Sequence, residues 1–356
     1  MKIGLFDPYL DALGGGERYM LTIAQCLRGD HQIDLFWKDS SILNKAEERF
    51  GLKLEDVFTV DNIFSPDITF LQRFHKSKEY DLIIFLSDGS IPLLSSRKLF
   101  VHFQFPVKNV KINPLLSLKL SRVDKIICNS QYTKSYIDST FKKKSEILYP
   151  PANTEIFANN KASKKNIILS VGRINLLSKE TDFKKFKVMI PAFQKLYNQN
   201  KVNWRLALAL SFSDKEKSYV DFLEKKAQGL PVDFYKNIPF ERLISLYKSA
   251  KIYWHIAGFG EDLKIFPERA EHFGISTVEA QGAGAVPIAF DAGGQKEIIH
   301  EKIDGFLFKD MNILIDQTQK LINNPPLLEK VSQKSIQNAS RFSQQEFCRN
   351  LNKLIL

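Results

Sequence analysis

Cysteine is scarce in this chain of 356 residues, which contains only Cys26, Cys128 and Cys348. The three lie far apart, so their spacing matches no zinc or iron–sulfur ligand pattern, and an odd number gives no framework of paired disulfides. Disulfides are also rare in reducing compartments. The sequence therefore predicts a protein without disulfides that is located in the cytoplasm.

Long apolar runs are missing too. No stretch approaches the ~18 apolar residues that a membrane-spanning helix needs. The N-terminus leads directly into the apolar segment 2–7, without the charged leader and apolar region of a signal peptide. We therefore expect any membrane contact to be peripheral.

Several motifs with well-defined chemistry are absent from the sequence. It has neither the Gly-x-Gly-x-x-Gly pattern of dinucleotide-binding proteins nor the Gly-Lys-Ser/Thr of the P-loop. It has no His-Glu-x-x-His and no closely spaced pair of cysteines, so we predict no catalytic metal and no other cofactor. Without a Gly-x-Ser-x-Gly elbow, an α/β-hydrolase is disfavoured as well.

What the chain does contain is enough apolar sequence for two domains. Its length suggests two domains rather than one, and a hydrophobic fraction of 44% suffices for two cores. The formal charge of +11 is compatible with nucleic acid, an anionic membrane or phosphorylated substrates, and selects none of them.

Strand-like apolar runs alternate with helical periods along both halves of the chain. The first half opens with a strand at 2–7, a glycine turn and a helix at 17–27, and the same alternation restarts at 166 after Pro150 and Pro151. Such alternation is typical of parallel sheets covered by helices. We therefore predict an α/β protein with a first domain at 1–152, a linker at 153–165, a second domain at 166–338 and a C-terminal helix at 339–356.

The most informative stretch runs from Glu271 to Gly284, between two apolar runs that are predicted to be strands. In open α/β sheets, ligands bind where strands lead into helices, and a helix N-terminus suits a phosphate. The amides of Phe273, Gly274 and Ile275 are predicted to bind the phosphate, while Glu271 and Glu279 accept hydroxyl protons from a sugar and a ribose. The alternative is a pair of solvated glutamates near a helix start.

Three further groups of residues lie at predicted strand ends. The cations Arg173 and Lys179 follow the strand that begins at 166, where they are candidates to bind phosphate oxygens. Gly15 and Gly16 belong to the first glycine turn, and His102 ends an apolar strand. For each the alternative is structural: surface cations, a tight turn without a ligand, or a core histidine.

These motifs resemble the retaining glycosyltransferases of family 4. The Glu-x7-Glu pattern from Glu271 to Glu279, the following 293–299 and 304–308, and Gly-Arg followed by Lys at 172–179 are similar to segments of that family. Glu180 departs from the family, which commonly has glycine there, and leaves the shape of that loop open. The resemblance implies the GT-B fold: two Rossmann-like domains facing across a cleft, with the last helix crossing back to the first domain.

The resemblance also implies an activity. It implies transfer of a hexose from a UDP- or GDP-sugar to a glycan, lipid-linked or other hydroxyl acceptor, with retention of anomeric configuration. In it, Glu271, His102, Arg173 and Lys179 are catalytic, and Gly15, Gly16, Phe273, Gly274, Ile275 and Glu279 bind the donor. The absence of Asp-x-Asp disfavours the metal-dependent class of glycosyltransferases. An NDP-sugar epimerase or phosphorylase, or a binding module without turnover, remains as the alternative, and nucleic acid is not expected as a partner.

The first domain is strongly polarised in charge. Between Arg97 and Lys144 there are 11 basic and 2 acidic residues, whereas 1–96 contains 10 basic and 15 acidic residues. The stretch 114–120 contains four leucines and Lys119, and three lysines follow at 142–144, so leucines are interleaved with cations along this segment. Such a segment suits peripheral docking on the anionic inner face of a membrane, with a solvated basic surface as the alternative.

Overall fold

The computed structural model describes residues 1–158, 163–178, 181–200 and 203–355. The chain folds into two compact units, one formed by Met1–Pro151 together with Gln344–Leu356 and the other by Ala152–Ser343. The predicted linker 153–165 contains a short helix, and the predicted last helix begins at Gln344 rather than at residue 339.

The first unit is built on a parallel sheet with the strand order β3-β2-β1-β4-β5-β6-β7. Its strands are β1 Lys2–Phe6, β2 Gln32–Phe36, β3 Val57–Val60, β4 Leu82–Leu86, β5 Lys98–Phe103, β6 Lys125–Cys128 and β7 Glu146–Ile147. Its helices are α1 Gly15–Leu27, α2 Ser41–Phe50, α3 Phe70–Lys76, α4 Pro114–Ser121 and α5 Gln131–Phe141.

Two apolar clusters cover the two faces of this sheet. Strand β4 is buried along its whole length, as expected for a central strand of a parallel sheet. One cluster lies under α1 and α2 and includes Tyr19 and Phe100, and the other includes Phe103 and Phe141. The sequence runs read as strands are therefore the sheet core.

The second unit has a parallel sheet with the order β12-β11-β8-β13-β14-β15. Its strands are β8 Lys165–Arg173, β11 Arg205–Ser211, β12 Val232–Lys236, β13 Ala250–His255, β14 Val286–Phe290 and β15 Phe306–Phe308, with a small antiparallel pair of β9 Leu176–Ser178 and β10 Thr181–Asp182. Its helices are α6 Thr154–Ala158, α7 Phe186–Asn200, α8 Lys217–Lys226, α9 Phe240–Ser249, α10 Ile275–Gly282, α11 Gln295–Ile298, α12 Met311–Asn323 and α13 Pro325–Ala339.

The last helix, α14 (Gln344–Ile355), belongs to the first unit. Phe347 of α14 is buried edge-on to the ring of Tyr19 on α1, with the ring centroids 5.0 Å apart. The two parallel sheets and the returning helix confirm the predicted fold class.

One prediction about the chain is wrong: it contains a disulfide. Cys26 on α1 and Cys348 on α14 are bonded, with their Cα atoms 5.3 Å apart, and Cys128 is free and buried. The pairing escaped sequence reasoning because 322 residues separate the two cysteines and only the return of α14 onto α1 brings them together. Among the described residues, no helix is long and apolar enough to cross a membrane.

Candidate functional site

The loop before α10 is held in place by the glycine segment that follows β14. The amide of Gly294 donates to the carbonyl of Glu271 at 2.8 Å, and Gln295 Nε2 donates to the carbonyl of Phe273 at 3.4 Å. A Cβ atom on Gly294 would lie 2.4 Å from the Cα of Phe273, so only glycine permits this approach. The Gly-Gly-Gln sequence therefore fixes the backbone from Glu271 to Gly274.

Gly274 itself is the N-cap of α10. Its φ of 117° lies in a region that favours glycine, and a Cβ there would meet Gln295 Nε2 at 2.2 Å. The first amides of a helix have no partner inside the helix, so those of Ile275 and Ser276 suit an anion at this end. Phe273 is buried against the ring of Phe342, with the ring centroids 5.2 Å apart.

Glu271 forms the centre of a charged cluster at the end of β13. His255 is the last residue of that strand, and its Nε2 lies 2.8 Å from Glu271 Oε2. The ammonium of Lys184 donates to the same carboxylate oxygen and lies 3.4 Å from the His255 ring nitrogen. The side chain of Glu271 is only 16% exposed, so these are its main partners.

The electrostatics of this cluster keep Glu271 ionised. Burial alone would raise its pKa, but the Lys184 ammonium and the His255 ring outweigh burial and hold the pKa well below its usual range. Burial and the Lys184 charge lower the pKa of His255, so its ring is neutral and Nε2 is the nitrogen that donates to the carboxylate. The cluster can therefore present a hydrogen-bond acceptor and a cation together.

Lys184 is placed by its neighbours on both sides. Its stem crosses Gly172 of β8, where a Cβ would lie 2.7 Å from the Lys184 Cγ. Next to it, the buried Lys185 has a φ of 61° and is paired with Glu261, which also accepts from Arg269 at 2.6 Å. The segment 258–270, which contains Glu261 and Arg269, thus anchors the turn that carries Lys184.

Glu279 lies on α10 and is buried, with 7% of its surface exposed. Below the same helix, the hydroxyl of Tyr253 donates to Ser276 Oγ at 2.9 Å, which ties the first turn of α10 to β13. The structure therefore places both glutamates of the Glu-x7-Glu pattern in the second unit, one before α10 and one inside it.

Of the two predicted cations, Arg173 and Lys179, the structure describes Arg173. Arg173 is the last residue of β8, lies opposite Ser211 of β11 and is exposed. Lys179 falls outside the described residues. The cation that contacts Glu271 is Lys184, which the sequence analysis did not single out, because Lys179 is the lysine that matches the family's spacing after Gly-Arg. Its position just before α7, whose helical period begins at Phe186, is the signal that identifies it.

The remaining predicted residues lie in the first unit. Gly14 is the N-cap of α1 and donates its amide to Glu17 Oε2 at 2.6 Å, while Gly15 is the first helical residue. A Cβ on Gly16 would lie 2.3 Å from Gln104 Oε1, so a larger residue there would displace the amide end of Gln104. A role of Gly15 and Gly16 in donor binding stays a prediction.

His102 is fully buried in the first unit. Its ring stacks on Tyr19 with the centroids 4.2 Å apart, and Nδ1 lies 3.2 Å from the carbonyl of Ile127. Burial lowers its pKa to about 3, so the ring is neutral and Nδ1 donates. Within the described part of the chain, Nε2 is buried without a hydrogen-bond partner. These contacts fit the core alternative, and the catalytic role stays a prediction.

Comparison with known proteins shows the family to which the chain belongs. The model of the family described as "Glycosyl transferases group 1" matches residues 152–338, more than half of the chain and nearly all of the second unit. The GDP-Man:Man(3)GlcNAc(2)-PP-Dol alpha-1,2-mannosyltransferase of Xenopus laevis is 27% identical over 97% of this chain and 85% of its own length. The enzyme of that name from Homo sapiens is 28% identical over 72% of this chain, which spans 51% of the human protein.

A solved structure extends the likeness to the whole fold. Anabaena Alr3699/HepE, crystallised with UDP and glucose, superposes with a TM-score of 0.71 at 18% identity, covering 100% of this chain and 99% of that one. With two parallel Rossmann-like sheets, the site at α10 and the matching family model, the chain belongs to the glycosyl transferases of group 1.

Proposed function

We propose that this protein is a retaining hexosyltransferase that moves a hexose from an NDP-sugar to a lipid-linked glycan. The observation that carries the proposal is the ionised Glu271, held by Lys184 and His255 directly before the N-terminus of α10. The named relatives use GDP-mannose, so a GDP-sugar is the first donor to test, and UDP-glucose is the comparator.

The donor diphosphate is assigned to the start of α10. The amides of Phe273, Gly274 and Ile275 would face it, and Lys184 would add a point charge to its oxygens. Arg173 and Lys179 remain further candidates for the same phosphates. These amides and cations would stabilise the negative charge that grows on the diphosphate as the sugar–phosphate bond breaks. Their stabilisation is therefore strongest in the transition state.

The two glutamates are assigned to different hydroxyls. Glu271, whose partners leave it ionised, would accept a hydroxyl proton of the hexose, while the buried Glu279 would accept from the ribose diol. His102 and the glycine turn of the first unit are the predicted contacts from the other domain. This division gives each carboxylate a separate effect on binding and turnover.

The proposed chemistry needs no protein nucleophile. The bond from the anomeric carbon to the donor phosphate oxygen breaks, an oxocarbenium-like centre forms, and the acceptor oxygen bonds to the same face. The acceptor proton passes to the leaving diphosphate, so atoms and charges balance without another reactant. With cations and helix amides stabilising the diphosphate, we infer that turnover does not depend on a metal and survives excess chelator.

One assay distinguishes this function from its alternatives. Purified protein is incubated with GDP-mannose or UDP-glucose, with and without a lipid-linked oligosaccharide, and NDP and sugar products are measured. A transferase releases NDP only when the acceptor is present, an epimerase converts the donor sugar alone, and a phosphorylase requires inorganic phosphate. Donor binding without any product under all three conditions would indicate a binding module and overturn the proposal.

A further inference from the structure

The first unit contains an apolar groove that the donor site does not use. It encloses about 580 Å³, and its lining includes Phe6, Phe64, Phe70, Phe85, Leu115 and Lys119. Its floor is an aromatic cluster in which the ring of Phe6 lies 4.3 Å from that of Phe64 and 4.7 Å from that of Phe85. This volume is typical of sites for small organic ligands.

Two short helices expose apolar side chains at this groove. Helix α3 buries none of its residues, and Phe70 lines the groove while Leu71 beside it is 75% exposed. Helix α4 buries only Leu120, while Leu115 lines the groove and Leu118, one turn further along, is 54% exposed. Phe70 and Leu115 thus place exposed apolar side chains from both helices at the same groove, a feature typical of ligand or membrane sites.

The charge around the groove is positive. Arg73 and Lys119 line it, whereas its single carboxylate, Asp88, accepts hydrogen bonds from Ser90. Arg73 is held in place because its Nε donates to the carbonyl of Ile63 at 3.0 Å. An occupant that complements this surface has an apolar chain and an anionic head.

We propose that the groove binds the hydrocarbon chain of a phosphorylated lipid, with Arg73 and Lys119 beside its phosphate. The inference rests on the proposed function, because it names the part of a lipid-linked acceptor that the first unit recognises. The enclosed volume admits one segment of a long chain, so the rest of the chain would remain in the membrane or pass over the exposed faces of α3 and α4.

Farnesyl pyrophosphate is a suitable soluble probe, compared with inorganic pyrophosphate by calorimetry below the micellar concentration. Both titrations are run with saturating GDP, so that the diphosphate-binding end of α10 is occupied. The proposal expects farnesyl pyrophosphate to bind at least about tenfold more tightly than pyrophosphate, because burial of apolar surface adds to the charge contacts. Equal affinity for the two would overturn it.

The double variant Phe70→Gln with Leu115→Gln tests the location. Both side chains are more than half exposed, so the fold should persist, and the loss should be about ten- to a hundredfold. Phe58→Gln is the matched control, since Phe58 is 56% exposed on β3 of the same unit and outside the groove lining. Affinity that falls equally in the control, or not at all in the double variant, would contradict the groove assignment.

Two further arms distinguish the sources of failure. Binding of anionic vesicles that the double variant loses, without binding of farnesyl pyrophosphate, would mean docking on a membrane surface and would overturn the proposal. Transfer to a lipid-free glycan without farnesyl pyrophosphate binding would refute the groove alone. Farnesyl pyrophosphate binding that follows the variants, without transfer to any acceptor, would refute the proposed function and leave the groove site standing.

Discussion

Lys184 is the residue on which the donor site depends most. It bonds to Glu271 and would turn its charge toward the diphosphate when a donor binds. Lys184→Ala should lower kcat by about a hundred- to a thousandfold, the usual cost of removing one group that stabilises transition-state charge. Lys195→Ala is the control, because Lys195 on α7 bonds to the exposed side chain of Asn312, away from Glu271.

Lys179→Ala belongs in the same experiment, since the sequence resemblance assigns the phosphate role to that lysine. A large loss for Lys184→Ala with a small one for Lys179→Ala would assign the role to Lys184. Near-normal turnover of Lys184→Ala at saturating donor would refute its role.

Replacing Glu271 and replacing Glu279 should have different effects on the affinity for GDP. Glu279→Ala should weaken the affinity for GDP itself, because its carboxylate is assigned to the ribose. Glu271→Ala should leave GDP affinity nearly intact and lower kcat, because Glu271 is assigned to the transferred hexose. Calorimetry with GDP alone measures the difference, and equal losses in the two variants would remove this division of roles.

At the residue scale, the sequence predicted site residues best at positions where the backbone geometry accepts a single residue type. Gly274 was predicted from close approach to a ligand, and the structure shows a positive φ and a close contact with Gln295. Lys184 could not be found from the spacing of the family motif, because that spacing ends at Lys179, whereas Lys184 reaches Glu271 through a side chain that crosses Gly172 in the folded unit. Spacing identifies a side chain only where the backbone between two motifs has a fixed length.

At the scale of the elements, the loop that leads into α10 depends on the segment after β14. Gly294→Ala would place a Cβ 2.4 Å from the Cα of Phe273, and the backbone has little freedom to move there. We expect a loss of about 1–3 kcal/mol in the stability of the second unit together with weaker GDP binding. Urea unfolding and GDP titration measure both.

Gly29→Ala serves as its control. No atom lies within 4 Å of a Cβ at Gly29, and its φ is not in the left-handed region, so stability and GDP binding should remain close to wild type. If Gly294→Ala behaved like this control, the Gly-Gly-Gln segment would not be what holds the loop.

Element prediction succeeded where burial gives a clear period. The central strands β4 and β13 are apolar runs buried along nearly their whole length, and α10 was expected between β13 and the next apolar run. The region around α3 carried no usable signal, because that helix buries none of its residues and so shows no apolar period. The same exposure that hides α3 from sequence reasoning is what makes it a candidate for binding a lipid.

The structure also shows that the three lysines at 142–144 have different roles. Lys143 was grouped with its neighbours in a segment predicted to dock on a membrane, but its ammonium donates to the carbonyls of Leu120 and Val123 at the end of α4. Lys142 and Lys144 are exposed. A charge-reversal test of membrane docking should therefore change only Lys142 and Lys144, because altering Lys143 would also disturb α4.

At the scale of the whole molecule, two buried groups of the first unit respond to acid in opposite directions. Burial lowers the pKa of His102 to about 3, so stability is lost as pH falls below the ordinary histidine value of ~6.5. Burial raises the pKa of Asp7 to about 7, so stability is gained as pH falls from about 7 toward the ordinary aspartate value. Between about pH 6.5 and 4 the two contributions oppose each other.

Replacing either His102 or Asp7 should expose the pH dependence of the other group. Relative to wild type, His102→Gln should become more stable by about 1.4 kcal/mol for each unit that pH falls below ~6.5. The relative stability of Asp7→Asn should decrease by a similar amount per unit as pH falls from about 7. Urea unfolding at several pH values, followed by hydrogen exchange in β1 and β4, gives both slopes. A pH-independent difference for His102→Gln would show that the histidine titrates in the folded state as it does in the unfolded chain.

Transfer itself tests the central claim most directly. The protein is incubated with GDP-mannose and a lipid-linked oligosaccharide in excess chelator, GDP release is followed, and the anomeric configuration of the new linkage is determined by NMR. We predict that GDP release depends on the acceptor and that the product keeps the anomeric configuration of the donor. The rate of GDP release and the yield of product should fall greatly in Lys184→Ala and remain unchanged in Lys195→Ala. Inversion of configuration, dependence on a metal, or GDP release that needs no acceptor would contradict the account.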